Sequence, residues 1–315
     1  MTASGDDQTF GRIVRQVDPQ AGLRRSWPLA GGVSAQVTAL ELEHPDGRTT
    51  KLIVRRHGEV DLKQNSHIAR DEFSLLQIAR SHGLAAPAPV YVDESREILA
   101  TPFIVMEFVE GETEFSPPDL PGYLGELASH LARIHRVVSS PELSFLPRRD
   151  KGFGKRPESL DHSMNEERIR DALEAAWPIA ALNSPVLLHG DYWPGNILWR
   201  DGELAAVIDW EDAATGDPLA DLGNSRLEIL WAFGVDALDA FTNQYRSLTE
   251  VDVTHLPYWD LCAALRPCSK LTNWGLDDVT EQRMRERHAL FVTQALEHLS
   301  FFWDKGSSGC SGRGR

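Results

Sequence analysis

The stretch that decides the fold is Leu187-Leu188-His189-Gly190-Asp191-Tyr192-Trp193-Pro194-Gly195-Asn196-Ile197-Leu198-Trp199. Its apolar ends predict two short strands, and the Gly and Pro residues between them predict a tight loop that carries Asp191 and Asn196. A further apolar run, Leu204-Ala205-Ala206-Val207-Ile208, leads directly into Asp209. Two carboxylates and one amide therefore follow short apolar strands within a small part of the chain.

The spacing of these polar residues points to a reaction class. Four residues lie between Asp191 and Asn196, and the kinase catalytic loop has the same spacing between its Asp and its Asn. Asp209 follows the next strand, where a kinase has its metal-binding Asp. Phosphoryl transfer needs one carboxylate to orient the attacking hydroxyl, and a second carboxylate with an amide oxygen to hold magnesium. One such Asp alone could simply form a turn, but the ordered set favours phosphoryl transfer.

The motifs resemble those of the aminoglycoside phosphotransferase family of small-molecule kinases, which is related to choline and macrolide kinases and more distantly to protein kinases. The residues that carry the resemblance are His189-Gly190-Asp191-x-x-x-x-Asn196, Ile208-Asp209-Trp210-Glu211 and Gly216-Asp217-Pro218-Leu219-Ala220-Asp221-Leu222. The resemblance implies an α+β, bilobal protein-kinase-like fold. It consists of a small β-rich N-terminal lobe and a larger, mainly helical C-terminal lobe.

The resemblance also implies a role for each motif residue. Asp191 would be the catalytic base, and Asn196 and Asp209 would be the ligands of Mg²⁺. Protein kinases have Phe-Gly after the metal-binding Asp, and Trp210-Glu211 stand there in this chain, which favours the small-molecule branch. Three further positions are expected to hold the loop and the following helix in place rather than react: His189, Asp217 and Asp221.

The N-terminal half offers candidate nucleotide-binding residues. Gly31, Gly32 and Ser34 fit a glycine turn whose backbone N–H groups approach phosphates. The family often has Asn after that Ser, whereas this chain has Ala35, so one side-chain contact is missing.

A second nucleotide-binding element is the predicted strand that contains Arg55. This residue stands where a kinase has the Lys that binds the α- and β-phosphates, and Glu72 is the matching carboxylate on the next helix. Arg is a rigid bidentate donor rather than a point charge, so the exchange is not neutral. If the strand register is off by one residue, Arg56 takes this role from the opposite face. A solvated surface position for Arg55 is the alternative.

The apolar run Phe103–Val109 corresponds to the hinge between the lobes in the resemblance. The Glu107 carbonyl and the Val109 amide would then bond the edge of adenine, and Met106 would line its pocket. The same residues also suit an ordinary core strand, because backbone recognition leaves no side-chain signature.

Patterning along the chain supports two lobes. Alternation over residues 37–43 and 51–55 predicts a hairpin, and helical spacing follows over 68–79 and again over 124–135. We therefore expect a nucleotide-binding lobe at residues 1–109, a catalytic and acceptor-binding lobe at 110–305, and a flexible tail at 306–315.

Composition and charge narrow the function classes. The 315 residues carry a net charge of −15, which argues against a protein that neutralises nucleic-acid phosphates. No stretch approaches the roughly 20 apolar residues that span a bilayer. The N-terminus is polar and acidic, unlike a signal peptide, and the three cysteines form no disulfide framework. We expect a soluble cytoplasmic protein of unknown oligomeric state that binds neither nucleic acid nor membrane.

The predicted function is the transfer of a phosphoryl group from ATP, or GTP, to a hydroxyl of a small molecule. Residues 110–315 hold a net charge of −13, which is compatible with a cationic acceptor such as an aminoglycoside, although a solvated acidic surface is the favoured interpretation of this charge. Trp231 and Trp274 suit either an acceptor pocket or the core, and Glu228 is a further candidate. Two alternatives are a nucleotide-binding pseudokinase, which typically lacks one of the three polar motif residues, and a protein kinase, which would need a longer activation segment.

Overall fold

The structure is a computed structural model that describes residues 5–29 and 35–308 of the chain. The contacts between residues divide the chain into two compact units. The smaller unit combines the residues up to Glu112 with Ile197–Glu211, and the larger unit consists of Thr113–Asn196 and the residues from Asp212 onward.

Both units contain helices and strands. In chain order the first half has α1 (Gly5–Val17), β1 (Gly22–Pro28), β2 (Ala35–Glu43), β3 (Thr49–His57), α2 (Glu59–Gln64), α3 (Ile68–Ser81), β4 (Pro89–Asp93), β5 (Phe103–Glu107) and α4 (Leu120–Ile134). The second half has β6 (Arg148–Arg149), α5 (Glu166–Ala176), β7 (Val186–Leu188), β8 (Ile197–Arg200), β9 (Glu203–Val207), β10 (Ala214–Gly216), α6 (Leu219–Phe233), α7 (Val235–Ser247), α8 (Leu256–Ala264) and α9 (Asp278–Ser308).

The smaller unit is built on an antiparallel sheet with strand order β1-β2-β3-β5-β4. One face of α1, carried by Phe10, Ile13 and Val14, packs in the same hydrophobic core as Leu40 of β2 and Phe103 of β5. These side chains are almost completely buried, and each contributes roughly 1.5–3 kcal/mol by leaving water. The helix thus covers apolar residues that the sheet would otherwise expose.

The hairpin β8–β9 belongs to the smaller unit although it lies far along the chain. Glu112 and Trp199 exchange two backbone hydrogen bonds of 3.0 and 2.9 Å, and the N–H of Val207 donates to the carbonyl of Ala85 at 2.6 Å. The division by contacts therefore differs from the contiguous boundaries expected at 109/110. Boundaries that cut the sequence into consecutive segments cannot assign β8–β9 to the smaller unit, because residues of the larger unit lie between them in the sequence.

The larger unit is mainly helical, with a small sheet of strand order β6-β10-β7. Helices α6 and α8 approach each other closely at Gly223, where a Cβ would lie 2.8 Å from the backbone of Trp259. Tyr245 of α7 and Tyr258 of α8 are completely buried. This close packing fixes the start of α6, which carries residues of the candidate site.

The α+β fold class is confirmed, and most predicted elements form with small shifts at their ends. The predicted strand over residues 103–109 is shorter, because β5 ends at Glu107. Residues 306–308 of the expected tail form the last turn of α9, and the rest of that tail lies outside the described residues. Across residues 5–29 and 35–308, no helix has the length and apolar character that crossing a membrane requires.

Candidate active site

The loop that follows β7 in the larger unit begins with a turn that requires glycine. Gly190 has φ = +87°, in the left-handed region where a residue with a side chain is strained. A Cβ at this position would also overlap the carbonyl oxygen of Asp212. The chain therefore turns sharply after β7, and this turn presents Asp191.

Asp221 of α6 fixes the same turn. Its Oδ2 accepts the backbone N–H of His189 at 2.6 Å, and its Oδ1 accepts the N–H of Gly190 at 3.0 Å. The ring of His135 lies 3.4 Å from Oδ2. Burial acts to raise the pKa of Asp221, but the hydrogen bond and charge of His135 outweigh burial and lower it. Asp221 is thus a buried anion that positions the loop, the structural role expected for it.

Asp191 is oriented by two side chains of the same unit. Nη2 of Arg266 lies 2.9 Å from Oδ1 of Asp191, and Nη1 of Arg266 donates to the carbonyl oxygen of Gly190. Nδ2 of Asn196 donates to the backbone oxygen of Asp191 at 2.9 Å and to its Oδ2 at 3.2 Å. The Asp191 side chain remains 31% exposed, so a second molecule can reach the carboxylate.

Asn196 and Asp209, the predicted magnesium ligands, each retain an oxygen for a cation. Oδ1 of Asn196 and Oδ2 of Asp209 accept no hydrogen bond from any residue within the described ranges. Such hard oxygens suit Mg²⁺, which usually binds one or two side chains while phosphates and water fill its other positions. No group of three or more His, Cys, Asp or Glu among the described residues could hold a metal alone. Each of the two residues, taken by itself, therefore offers an oxygen of the kind that Mg²⁺ binds.

Arg55 of β3 lies among three carboxylates of the smaller unit. Its Nε is 3.5 Å from Oε2 of Glu72 in α3, and its Nη2 is 2.8 Å from Oδ1 of Asp209 and also contacts Glu211. Burial acts to lower the pKa of Arg55, but the three carboxylates outweigh burial and raise it. Burial acts to raise the pKa of Glu72, but the charge of Arg55 and the hydrogen bond to His57 outweigh burial and lower the pKa. Both groups are therefore charged at neutral pH.

The strand register decides between Arg55 and Arg56. In β3, Arg55 is paired with Ile104 and Arg56 with Phe103 of β5, so the two side chains point to opposite faces. Arg55 is the one that reaches Glu72, and Arg56 forms no ion pair within the described part of the chain. The solvated alternative does not hold either, because Arg55 is only 8% exposed.

Asp209 has an unusual backbone conformation directly after β9. Its φ is +65°, in the left-handed region that residues other than glycine seldom adopt. The next residue, Trp210, is 2% exposed and donates its indole N–H to the carbonyl oxygen of Val207 at 2.9 Å. This anchoring holds Asp209 in a strained conformation, which is a common property of functional sites.

The remaining predicted nucleotide contacts are only partly described. Met106 is buried in β5, and Glu107, the last residue of that strand, is exposed. The backbone N–H of Val109 donates no hydrogen bond to any residue of the described ranges, so it is available to a ligand. Gly31, Gly32 and Ser34 lie outside the described residues.

A cavity of about 570 Å³ in the larger unit has Asp191 in its wall. The wall also contains Phe115, Trp193, Asn224, Leu227, Glu228, Trp231, Arg266, Lys270, Trp274 and Arg283. Burial, followed by the charge of Asp191, raises the pKa of Glu228 from 4.5 to about 8, while Arg266 acts to lower it. Trp231, Trp274 and Glu228 thus line a cavity beside the candidate base.

Two residues of the site escaped sequence reasoning. Arg266 contacts Asp191 although the two residues are 75 positions apart in the sequence, and no local sequence pattern indicates this contact. Glu211 belongs to the motif Ile208-Asp209-Trp210-Glu211, but nothing in that motif indicates that its carboxylate contacts Arg55. Its position two residues after Asp209 was the one available signal.

Solved structures share this fold at low sequence identity. An aminoglycoside 2'-phosphotransferase-IIIa in complex with GDP aligns with a TM-score of 0.63 and 17% identity, over 94% of this chain and 97% of that one. An amicoumacin kinase in complex with AMP-PNP, Ca²⁺ and Ami aligns with a TM-score of 0.61 and 14% identity, over 92% and 94% of the two chains. Such likenesses establish a protein-kinase-like fold.

Curated relatives are considerably longer than this chain. Acyl-CoA dehydrogenase family member 10 of Mus musculus is 26% identical over 214 residues, which is 62% of this chain and 20% of that protein. Acyl-CoA dehydrogenase family member 11 of Homo sapiens is 25% identical over 198 residues, or 57% and 25%. The chain thus spans about a fifth to a quarter of these relatives.

A family model also matches well over half of the chain. The model described as "Phosphotransferase enzyme family" matches residues 27–261, which include Arg55, the 189–196 loop and Asp209. The motifs, the fold and this match agree, and the chain belongs to the phosphotransferase enzyme family.

Proposed function

We propose that the chain transfers the γ-phosphoryl group of ATP or GTP to a hydroxyl group of a small molecule. Family membership supports phosphotransferase activity on a small molecule. The observation that carries the proposal is the placement of Asp191. It is an oriented and accessible carboxylate in the wall of a cavity large enough for a small molecule.

Asp191 acts as the base. Its carboxylate positions the acceptor hydroxyl and takes its proton as the hydroxyl oxygen forms a bond to the γ-phosphorus. The bond between the γ-phosphorus and the bridging oxygen breaks in the same step, and the nucleoside diphosphate leaves. Asn196 and Arg266 hold the carboxylate in one orientation, so little reorganisation is needed when the acceptor binds.

The other predicted residues bind and orient the nucleotide. Arg55 takes the place of the kinase Lys and contacts phosphate, with Glu72 as its buried counter-ion. Asn196 and Asp209 are the residues that would hold Mg²⁺, and the cation would neutralise charge on the phosphates.

Nucleotide recognition is assigned to backbone groups as well as side chains. The carbonyl of Glu107 and the N–H of Val109 bind the adenine edge, and Met106 lines the adenine pocket. Gly31, Gly32 and Ser34 are assigned to phosphate binding from the sequence resemblance alone. The Val109 N–H, which has no partner among the described residues, supports the first of these assignments.

A pseudokinase that binds nucleotide without transfer is the second candidate. The buried Arg55 cluster favours it in one respect, because Arg55 already has three carboxylate partners and a phosphate would have to compete with them. Retention of Asp191, Asn196 and Asp209 argues against it.

Nucleotide consumption separates the two candidates. ADP or GDP release would be measured with Mg²⁺ across aminoglycosides, macrolides, choline, amino alcohols, sugars and hydroxy acids. We expect acceptor-dependent release that is lost in Asp209→Ala and kept in Asp239→Ala, which changes an exposed Asp of α7. Nucleotide binding with no release for any acceptor would favour the pseudokinase, and normal turnover in Asp209→Ala would refute the assigned metal ligand.

A further inference from the structure

The cavity beside Asp191 has a charge opposite to that of the unit around it. The larger unit, Thr113–Asn196 with Asp212–Arg315, holds 19 Lys and Arg against 27 Asp and Glu, a net charge of −8, yet the cavity wall contains three cations, Arg266, Lys270 and Arg283. Its acidic groups are Asp191 and Glu228. The composition of the unit therefore does not predict the charge that a bound acceptor would meet.

Two of the three cations are not neutralised by the protein. Arg266 is paired with Asp191, and it also lies 3.6 Å from Asp212. Lys270 and Arg283 form no ion pair with any carboxylate in the described part of the chain, and both side chains are exposed. The raised pKa of Glu228, at about 8, keeps this carboxyl mostly protonated at pH 7. The cavity is therefore net positive.

A neighbouring cavity is also lined mainly by positively charged side chains among its charged residues. It has a volume of about 400 Å³ and shares Asn224 and Arg266 with the first. It adds Arg148, Arg149 and Lys151, against the single acid Asp150. Arg148 pairs with Asp150, so this second cavity is also net positive.

A buried donor on the shared wall is left without a partner. Asn224 of α6 is 2% exposed, and its Nδ2 donates no hydrogen bond to any residue of the described ranges. A buried N–H group without a hydrogen bond destabilises the folded protein, so most buried N–H groups have a partner. Because the described residues supply none for Asn224, a bound molecule is a suitable source of one. An oxygen of a bound molecule would satisfy it.

The rest of the first cavity is apolar and partly uncovered. Phe115 and Trp274 are large aromatic residues that remain 47% and 45% exposed. Trp274 packs edge-on against Trp231 with ring centroids 5.9 Å apart, and Phe115 lies beside Trp193 at 6.1 Å. A ligand with an apolar body would cover these rings and gain from their removal from water.

We propose, as an inference that rests on the proposed phosphotransferase function, that the acceptor is a hydroxy compound with an apolar body and an anionic group. Its carboxylate or phosphate is bound by Lys270 and Arg283, and its hydroxyl lies at Asp191. A polycationic acceptor of the aminoglycoside type is disfavoured, because Arg266, Lys270 and Arg283 would repel it. The chemical step is the one described above: the acceptor oxygen bonds to the γ-phosphorus, its proton passes to Asp191 and the nucleoside diphosphate leaves.

The test compares acceptors that differ only in charge. Nucleoside diphosphate release by the full chain would be measured with ω-hydroxy fatty acids of four to ten carbons, their methyl esters, the matching amino alcohols and the matching phosphomonoesters. Kanamycin would be the polycationic probe. We expect kcat/KM to be at least tenfold higher for one anionic series than for the esters. The carboxylate and phosphate series distinguish the two sources of negative charge.

A double variant tests the assigned cations. Lys270→Ala with Arg283→Ala should raise KM for the anionic acceptor about tenfold or more. It should leave KM for the nucleotide within about twofold. The matched control is Arg136→Ala with Arg246→Ala, which removes two exposed positive charges of the same unit outside both cavities. This control should not change KM for any acceptor.

The outcomes separate the inference from the function it rests on. Preference for amino alcohols or kanamycin, or an unchanged KM in the double variant, would overturn the anionic acceptor and leave phosphotransfer intact. Absence of release with every acceptor, while the nucleotide still binds by calorimetry, would overturn the phosphotransferase function and the inference with it.

Discussion

Nη2 of Arg266 lies 2.9 Å from Oδ1 of Asp191, so the candidate base is ion-paired before any substrate binds. The two residues are 75 positions apart, and the same guanidinium also binds the carbonyl oxygen of Gly190. Charge-assisted hydrogen bonds of this kind contribute roughly 1.5–3 kcal/mol. Arg266 therefore positions Asp191 rather than reacting itself.

Replacement of Arg266 is expected to reduce turnover more than binding. Arg266→Ala should lower kcat by about 10- to 100-fold, because Asp191 loses its orienting contact, and should leave KM for the nucleotide within about twofold. Arg266→Lys should recover part of kcat, since the charge remains but the fork of two donors is lost. Steady-state kinetics of both variants beside Arg246→Ala would measure this, and an unchanged kcat in Arg266→Ala would contradict the positioning role.

Glu228 is expected to make stability fall as the pH rises toward 8. Below its ordinary pKa of 4.5, the carboxyl is protonated in the folded and the unfolded chain and has no effect. Between 4.5 and about 8, the unfolded chain releases the proton while the folded chain keeps it. The free energy of unfolding therefore decreases over this range and levels off above it.

Urea unfolding at pH 5.5 and pH 8 would measure this effect. The wild-type protein should lose up to about 3 kcal/mol more than Glu228→Gln between these pH values. Glu59→Gln, which changes an exposed Glu of α2, should behave like the wild type. Equal pH dependence of the wild type and Glu228→Gln would show that the pKa is not raised.

Loss of the buried counter-ion of Arg55 is expected to destabilise the smaller unit. Glu72 is 6% exposed and also lies 2.9 Å from Nε2 of His57. Glu72→Gln should reduce the free energy of unfolding by about 2 kcal/mol, because a buried cation loses one of its three anions. It should also raise KM for the nucleotide. Chemical denaturation beside Glu59→Gln tests this, and a loss no larger than that of the control would mean that the pair contributes no stability.

Replacement of glycine by alanine is expected to have opposite effects on stability at two positions. Gly190→Ala should cost about 3 kcal/mol or more, because the left-handed φ is strained and the Cβ would overlap Asp212. Gly125→Ala, in the interior of α4 with open space around it, should stabilise by roughly 0.5–1 kcal/mol. Thermal and urea unfolding of both variants would measure the contrast. A Gly190→Ala protein as stable as the wild type would contradict the assigned turn.

Local patterns predict the elements that carry their own signal. The predicted strand over 37–43 and the helix over 68–79 form as β2 and α3, because alternation and helical spacing reflect a buried face directly. Helix α1 was not predicted, although Phe10, Ile13 and Val14 have helical spacing, since Gly11 and the polar residues around them weaken the pattern.

Long-range contacts are the part that the sequence could not predict. The motif spacing identified Asp191, and the strand register expected for Arg55 is the one that forms. The approach of Arg266, the return of β8–β9 to the smaller unit and the charge of the cavity depend on tertiary packing between distant segments. The net charge of the sequence does not predict the charge of the cavity wall for the same reason, because it does not say which side chains share a cavity.

The most direct test of the account is detection of the phosphorylated product by ³¹P NMR. The protein would be incubated with Mg²⁺, ATP or GTP and the best acceptor of the panel, beside Asp191→Asn and the control Asp239→Asn. We expect a new phosphoester signal for the wild type and the control, and a rate lowered by about 10²- to 10⁴-fold in Asp191→Asn with nucleotide binding retained. Phosphoester formation by Asp191→Asn at the wild-type rate would contradict the account.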